Sequence, residues 1–139
     1  MSVEEHTAIV ERFAQVWGRG TLSLIDELAS PDLVVSYPVF SETVHGPEAF
    51  KEVIRGVRAG LPDVELEIHE TIAQGDKVAI RWTMQGTHKG TFSGVPATGK
   101  RITLNGITIY RLAGGKVVEE RGEEDALGMF RQLGVIPAP

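Results

Sequence analysis

The segment 64–85, VELEIHETIAQGDKVAIRWTMQ, decides the fold class. Val64, Leu66 and Ile68 alternate with Glu65, Glu67 and His69, and Val78, Ile80, Trp82 and Met84 alternate with Ala79, Arg81, Thr83 and Gln85. A period of two sends one set of side chains to a buried face and the other to the opposite face, as in a half-buried strand. Gln74-Gly75-Asp76 lies between the two runs and supplies the turn. The same period continues downstream. Ile102, Leu104, Ile107 and Ile109 form a third strand whose alternation slips by one near Asn105-Gly106, so a bulge that bends the sheet is expected there. Ala113-Gly114-Gly115 reads as a hairpin turn, and Lys116 to about Glu124 returns as the last strand. Asp125 then opens a short helix carrying Leu127, Met129, Phe130 and Leu133, ended by Gly134.

Upstream of residue 63 the period is helical. Ser2 and Glu5 have capping-box spacing, and Ile9, Val10, Phe13, Val16 and Trp17 follow at intervals of three and four, until Gly18 and Gly20. Thr21 is expected to cap a second short helix burying Leu22, Leu24, Ile25 and Leu28, which stops before Pro31. Leu33 to Tyr37 reads as a strand closed by Pro38. A third helix has Gly46 before it, Pro47 at its first position, and Phe50, Val53, Ile54 and Val57 on its inner face. Helices followed by an antiparallel meander make an α+β order without the parallel crossovers of a βαβ series. Polar residues interleaved in strands that otherwise look buried suggest that the curved sheet and the N-terminal helices enclose an apolar pocket.

With 139 residues, 42% hydrophobic and 24% charged, the chain fits one globular domain, 1–139. The formal net charge of −5, with the 14 basic residues spread among acids, argues against a nucleic-acid partner. Zero cysteines exclude a disulfide framework, a thiolate metal site and a Cys nucleophile. The acidic start MSVEEHTAIVERF does not read as a signal peptide, and no apolar run is long enough to span a membrane, so a cytoplasmic location is expected. No two of the four histidines have metal-ligand spacing, and neither a phosphate loop nor a Gly-x-Ser-x-Gly elbow occurs, so no metal or cofactor is expected.

ELASPDLVVSYP, HGPEAFKEVIRGVRAGLPDVELEI, the long run from IAQGDKVAIRWTM to GGKVVEE, and DALGMFRQLG resemble the SnoaL-like polyketide cyclases, a branch of the nuclear-transport-factor-2-like superfamily. GTHKGTFSGVPATGK and DALGMFRQLG are the most specific pieces. The resemblance implies a conical α+β barrel and a homodimer joined through the outer sheet face. It also implies a cofactor-free intramolecular aldol closure, or a related lyase or isomerase step, on a hydrophobic carbonyl substrate. The family's acid–base carboxylate then falls on Asp125, and His88 or Arg81 would orient carbonyls. Two departures stand out: Ser36 or Tyr37 where many members carry His, and Arg121 where they carry Trp four residues before the acid. Alternatives on the same scaffold are a non-catalytic, homodimeric small-molecule binder and an epoxide-hydrolase-like site with Arg121 or Arg81 between acids.

Each candidate also has a structural reading. Asp125 stands where an N-cap is favoured, and capping N–H bonds would lower its pKa. Arg121 and Glu123 share its strand face if the alternation holds, and EERGEED also reads as a solvated charged strand. His88 is either structural or a hydrogen-bonding imidazole at a cavity. Asn105 is a hydrogen-bond donor or simply a turn-tolerant residue. Trp17, Tyr37, Phe40 and Phe50, like Trp82, Phe92 and Met84, read as core residues, some of which are expected to form a wall for a flat ligand. His6 and His45 read as surface residues.

Overall fold

The computed structural model describes residues 1–137, whose helices and strands follow the expected order apart from an additional, unexpected two-residue strand at Val44–His45. Helix α1 (Val3–Ala14) starts with the capping box: the Glu5 amide donates to Ser2 Oγ at 3.1 Å, and the Ser2 amide donates to Glu5 Oε1 at 3.2 Å. Its buried face carries Val10, Phe13 and Ala14, and a 3₁₀ turn (Gln15–Trp17) follows. His6 is buried too, its Nδ1 lying 2.9 Å from the Gly75 carbonyl oxygen, so it is not the surface residue its neighbours suggest. Helix α2 (Ser23–Leu28) begins without a side-chain cap; the Thr21 hydroxyl lies 2.6 Å from that of Ser23 instead. Helix α3 (Pro47–Gly60) has Pro47 in its first turn and Gly46 at φ 88°, a backbone region that favours glycine.

Strands β1 (Ala29–Ser36) and β2 (Val44–His45) precede α3; β3 (Glu65–Gln74), β4 (Lys77–Thr87), β5 (Arg101–Ala113) and β6 (Lys116–Glu124) follow it. Helix α4 (Ala126–Leu133) comes last and is tied to β5 by paired bonds between Gln132 and the Thr103 backbone, 2.7 and 2.9 Å. β1 starts earlier than expected and takes in Pro31. Proline has no N–H for a ladder, and the β1–β6 register shifts between Ala29 and Val34.

The six strands lie in the order β2-β1-β6-β5-β4-β3. β1 and β6 pair in parallel and the other neighbours pair antiparallel, so the meander is joined to the N-terminal half through one parallel contact. The sheet curves but is not closed, with β2 and β3 at its edges. Its inner face packs with α1, the 3₁₀ turn and α3 around one apolar cluster that includes Phe13, Phe50, Ile54, Ile80 and Tyr110.

The expected bulge at Asn105-Gly106 is absent. β5 pairs with β4 in unbroken register from Arg101 to Arg111, and the irregularities fall elsewhere, at Ile68/Glu70 and Arg111/Leu112. Alternation therefore never slips: Ile102, Leu104, Gly106, Thr108 and Tyr110 point one way, and Ile107 and Ile109 lie on the outer face, 53% and 49% exposed. The apparent slip comes from Gly106 and Thr108 standing at inner positions. A Cβ on Gly106 would come within 2.3 Å of the Trp82 ring, so the missing side chain is the space the indole occupies.

Candidate active site

Between the inner sheet face, α3 and the 3₁₀ turn lies a cavity of about 380 Å³. β4 and β5 supply Ile80, Trp82, Met84, Leu104 and Tyr110; α3 supplies Val53, Gly56 and Val57. The loop before β5 covers one side with Thr91–Gly94. The opposite wall is aromatic: Trp17 packs edge-on against Tyr37 at 5.4 Å between ring centroids, and Phe40 packs against both. Phe50 is fully buried behind Trp17 at 5.3 Å and supports this wall without lining the cavity. Gly122 makes the wall possible, because a Cβ there would sit 1.9 Å from the Tyr37 ring.

Among the described residues no Lys, Arg or His lines the cavity; its one charged lining residue is Glu124, at the end of β6. The Val39 amide donates to Glu124 Oε1 at 3.2 Å. Burial pushes the Glu124 carboxyl above its ordinary pKa; the Val39 bond opposes this and the nearby Glu123 charge adds to it. A carboxylate so placed can hold or release a proton beside an apolar ligand.

Behind the wall lies a second carboxyl. Glu120 is fully buried; its Oε2 accepts from Trp17 Nε1 at 2.7 Å and from the Tyr37 hydroxyl at 2.5 Å. Burial pushes its pKa up to about 7, although both hydrogen bonds pull it down. The Tyr37 phenol is raised well above its usual value by burial and by the Glu120 charge.

The other candidate residues lie elsewhere. Asp125 is exposed and caps α4, its Oδ1 accepting from the Gly128 amide at 2.8 Å. It lines a more open outer depression of about 370 Å³ together with Arg81, Asn105, Glu123 and Glu124, the last shared with the cavity. Arg81 pairs with Glu70 at 3.1 Å, and Asn105 Oδ1 accepts from the Thr83 hydroxyl at 2.7 Å. Arg121, Glu123 and Asp125 do share a face, and it is the exposed one; Glu120, Gly122 and Glu124 turn inward. His88 is fully buried but does not line the cavity. The Thr98 amide donates to its Nδ1 at 3.2 Å, which leaves the proton on Nε2 to donate to the Val95 carbonyl at 3.1 Å. Both ring nitrogens thus hold the loop that carries Phe92 and Ser93. The structure brings Trp17, Tyr37 and Phe40 together at the cavity and leaves Asp125, His88, Arg81, Asn105 and Arg121 outside its lining.

Glu120 and Glu124 are the residues a reading of charge runs passes over. The signal available was parity: in EERGEED, Gly122 separates two acids of its own parity, as expected where a large ring needs room.

A family model described as SnoaL-like polyketide cyclase matches residues 7–133. The chain is 35% identical over 92 residues to the aklanonic acid methyl ester cyclase of Streptomyces peucetius, covering 66% of this chain and 63% of that protein. It is 30% identical over 112 residues to the nogalonic acid methyl ester cyclase of Streptomyces nogalater, covering 79% and 83% of the two chains. Among solved structures, TsrD from Streptomyces laurentii superposes with a TM-score of 0.86 at 26% identity, covering 98% of this chain and 99% of that one.

Proposed function

Because the chain belongs to the SnoaL-like polyketide cyclase family, we propose that it closes a ring in an uncharged, hydrophobic carbonyl substrate by an intramolecular aldol reaction within the cavity. The observation that carries this reading is Glu124, a half-buried carboxylate facing an apolar, aromatic-walled space that contains no cation. In this mechanism Glu124 takes a proton from the carbon between two carbonyl groups. The resulting enolate attacks a second carbonyl of the same molecule and a carbon–carbon bond forms. The alkoxide so produced takes the proton back from Glu124. The sequence is redox-neutral and returns the carboxylate to its starting state. The relatives' names specify methyl esters, and a masked carboxyl suits a lining whose only charge is negative.

This assigns to Glu124 the role that the resemblance alone puts on Asp125. Parallel assays of Glu124→Gln and Asp125→Asn on an aromatic polyketide methyl ester separate the two. Glu124→Gln is expected to lose at least about a hundredfold in kcat. Asp125→Asn is expected to keep turnover within a few-fold and to lose about 1 kcal/mol of stability or less, since Asn also caps helices. The reverse pattern would put the chemistry in the outer depression. Arg81 and Arg121 lie outside the cavity, so a carboxylate–Arg–carboxylate arrangement is not formed there.

We infer, further, a homodimer through the outer sheet face. Ile72, Ile107 and Ile109 are exposed there, and Ile72 and Ile109 both face Ala79 across neighbouring ladders.

A further inference from the structure

Glu120 is the one fully buried carboxyl among the described residues, and the mechanism above does not use it. A single oxygen, Oε2, ties together three distant parts of the chain: Trp17 from the 3₁₀ turn, Tyr37 from the end of β1, and β6 itself. The Tyr37 hydroxyl is also 2.9 Å from Thr108 Oγ1, which accepts from Trp82 Nε1 at 2.9 Å. Three rings that line the cavity therefore commit their polar atoms to one network ending on Glu120. Its other oxygen, Oε1, is buried and has no hydrogen-bond partner among the described residues.

That asymmetry decides where a proton goes. Oε2 already receives two donors, so a proton on it would compete with both. A proton on Oε1 leaves Oε2 as a carbonyl oxygen that accepts both bonds unchanged. Without that proton, Oε1 carries charge with nothing to stabilise it. The titratable groups facing Glu120 are Tyr37, just after β1, and Tyr110, from β5, both held neutral well beyond their usual range. Among the described residues no Lys, Arg or His contributes to its shift. The rings of Trp17 and Tyr37 both bond the carboxyl and line the cavity. Replacing cavity water with an apolar ligand removes the remaining solvation of the anion and favours the neutral acid.

We propose that Glu120 is a positioning residue for the cavity: Oε2 clamps the Trp17 indole and the Tyr37 phenol into the wall, and filling the cavity with an uncharged aromatic ketone draws a proton from solvent onto Oε1. The choice of ligand class rests on the cyclase reading; the clamp does not.

The sequence has two tryptophans, so the clamp can be read without a ligand. The indole N–H resonance of Trp17, followed by nitrogen-15 NMR from pH 5 to 9, is expected to titrate near neutrality. The Trp82 resonance, which reports on Thr108, should move less, and Glu120→Gln should flatten the Trp17 curve while keeping its shift near that of the acid form. A flat wild-type curve, or one unchanged in Glu120→Gln, overturns the clamp. Proton linkage is read by calorimetry with 2-acetonaphthone near pH 7.5 in phosphate and in Tris, whose ionisation enthalpies differ. Wild type and Glu124→Gln should each take up a fraction of a proton on binding. Glu120→Gln should take up much less, with affinity kept within about threefold. Equal uptake by Glu120→Gln and wild type overturns the linkage. Neither readout involves turnover, so loss of the aldol assignment would leave both measurements standing.

Discussion

Between its ordinary value of 4.5 and the value of about 7 that it reaches in the fold, the Glu120 carboxyl is protonated in the folded protein and ionised in the unfolded chain. The folded state binds the extra proton, so this group's contribution to stability is fully present below about pH 4.5 and is lost as pH rises through about 7. The full loss corresponds to about 3 kcal/mol. Glu124, raised by the same cause, adds a change of the same sign. Urea titrations at pH 5 and pH 8 are therefore expected to show wild type weaker at the higher pH. Most of that difference should disappear in Glu120→Gln, and a difference of equal size in the variant would contradict the burial argument. At this scale the sequence was least legible. Glu120, Arg121, Glu123 and Glu124 are chemically a charged run; beyond parity, it is the bonds of Glu120 to Trp17 and Tyr37 and of Glu124 to the Val39 amide that set the two inward acids apart from their outward neighbours.

The loop between β4 and β5 shows what a histidine can do at the scale of an element. His88 binds Thr98 and Val95 across the loop, and Gly90 packs close against the Ala59 backbone of α3, so the segment lining the cavity is pinned at both sides. His88→Ala is expected to speed amide exchange at residues 91–98 and to raise KM several-fold, with kcat less affected. A large drop in kcat with unchanged loop protection would instead make the imidazole a catalytic group. Element identities were largely readable: the capping box at Ser2, Pro47 at the start of α3 and the strict alternation in β4 all act locally. The misread places depended on distant partners. Gly106 and Thr108 look like a break in the β5 pattern until the Trp82 indole is seen to fill the one and bond to the other.

At the scale of the molecule, three isoleucines on an exposed sheet face can be covered by a second copy of the chain. For the dimer inferred above, Ile107→Lys together with Ile109→Lys is expected to leave a monomer in sedimentation velocity where the wild type sediments as a dimer, with the cavity's Trp17 indole resonance unchanged. A dimer that survives both charges would have to use another surface. Alternation alone revealed the hairpins but not the β1–β6 pairing. Parallel neighbours leave no turn residues between them, and their register is set by what the two strands bury together.

That parallel pairing also bears on how the chain folds as it is made. Val34 meets Glu119 and Trp17 meets Glu120 across most of the chain's length, so these contacts have the high sequence separation that slows folding. During synthesis the N-terminal helices and β1 leave the ribosome long before β6 exists to receive them, with Trp17 and Tyr37 unclamped and their apolar faces uncovered. Sealing of the aromatic wall therefore waits on β6, and a nascent chain stopped short of Glu120 lacks the one acceptor that both the Trp17 indole and the Tyr37 phenol require.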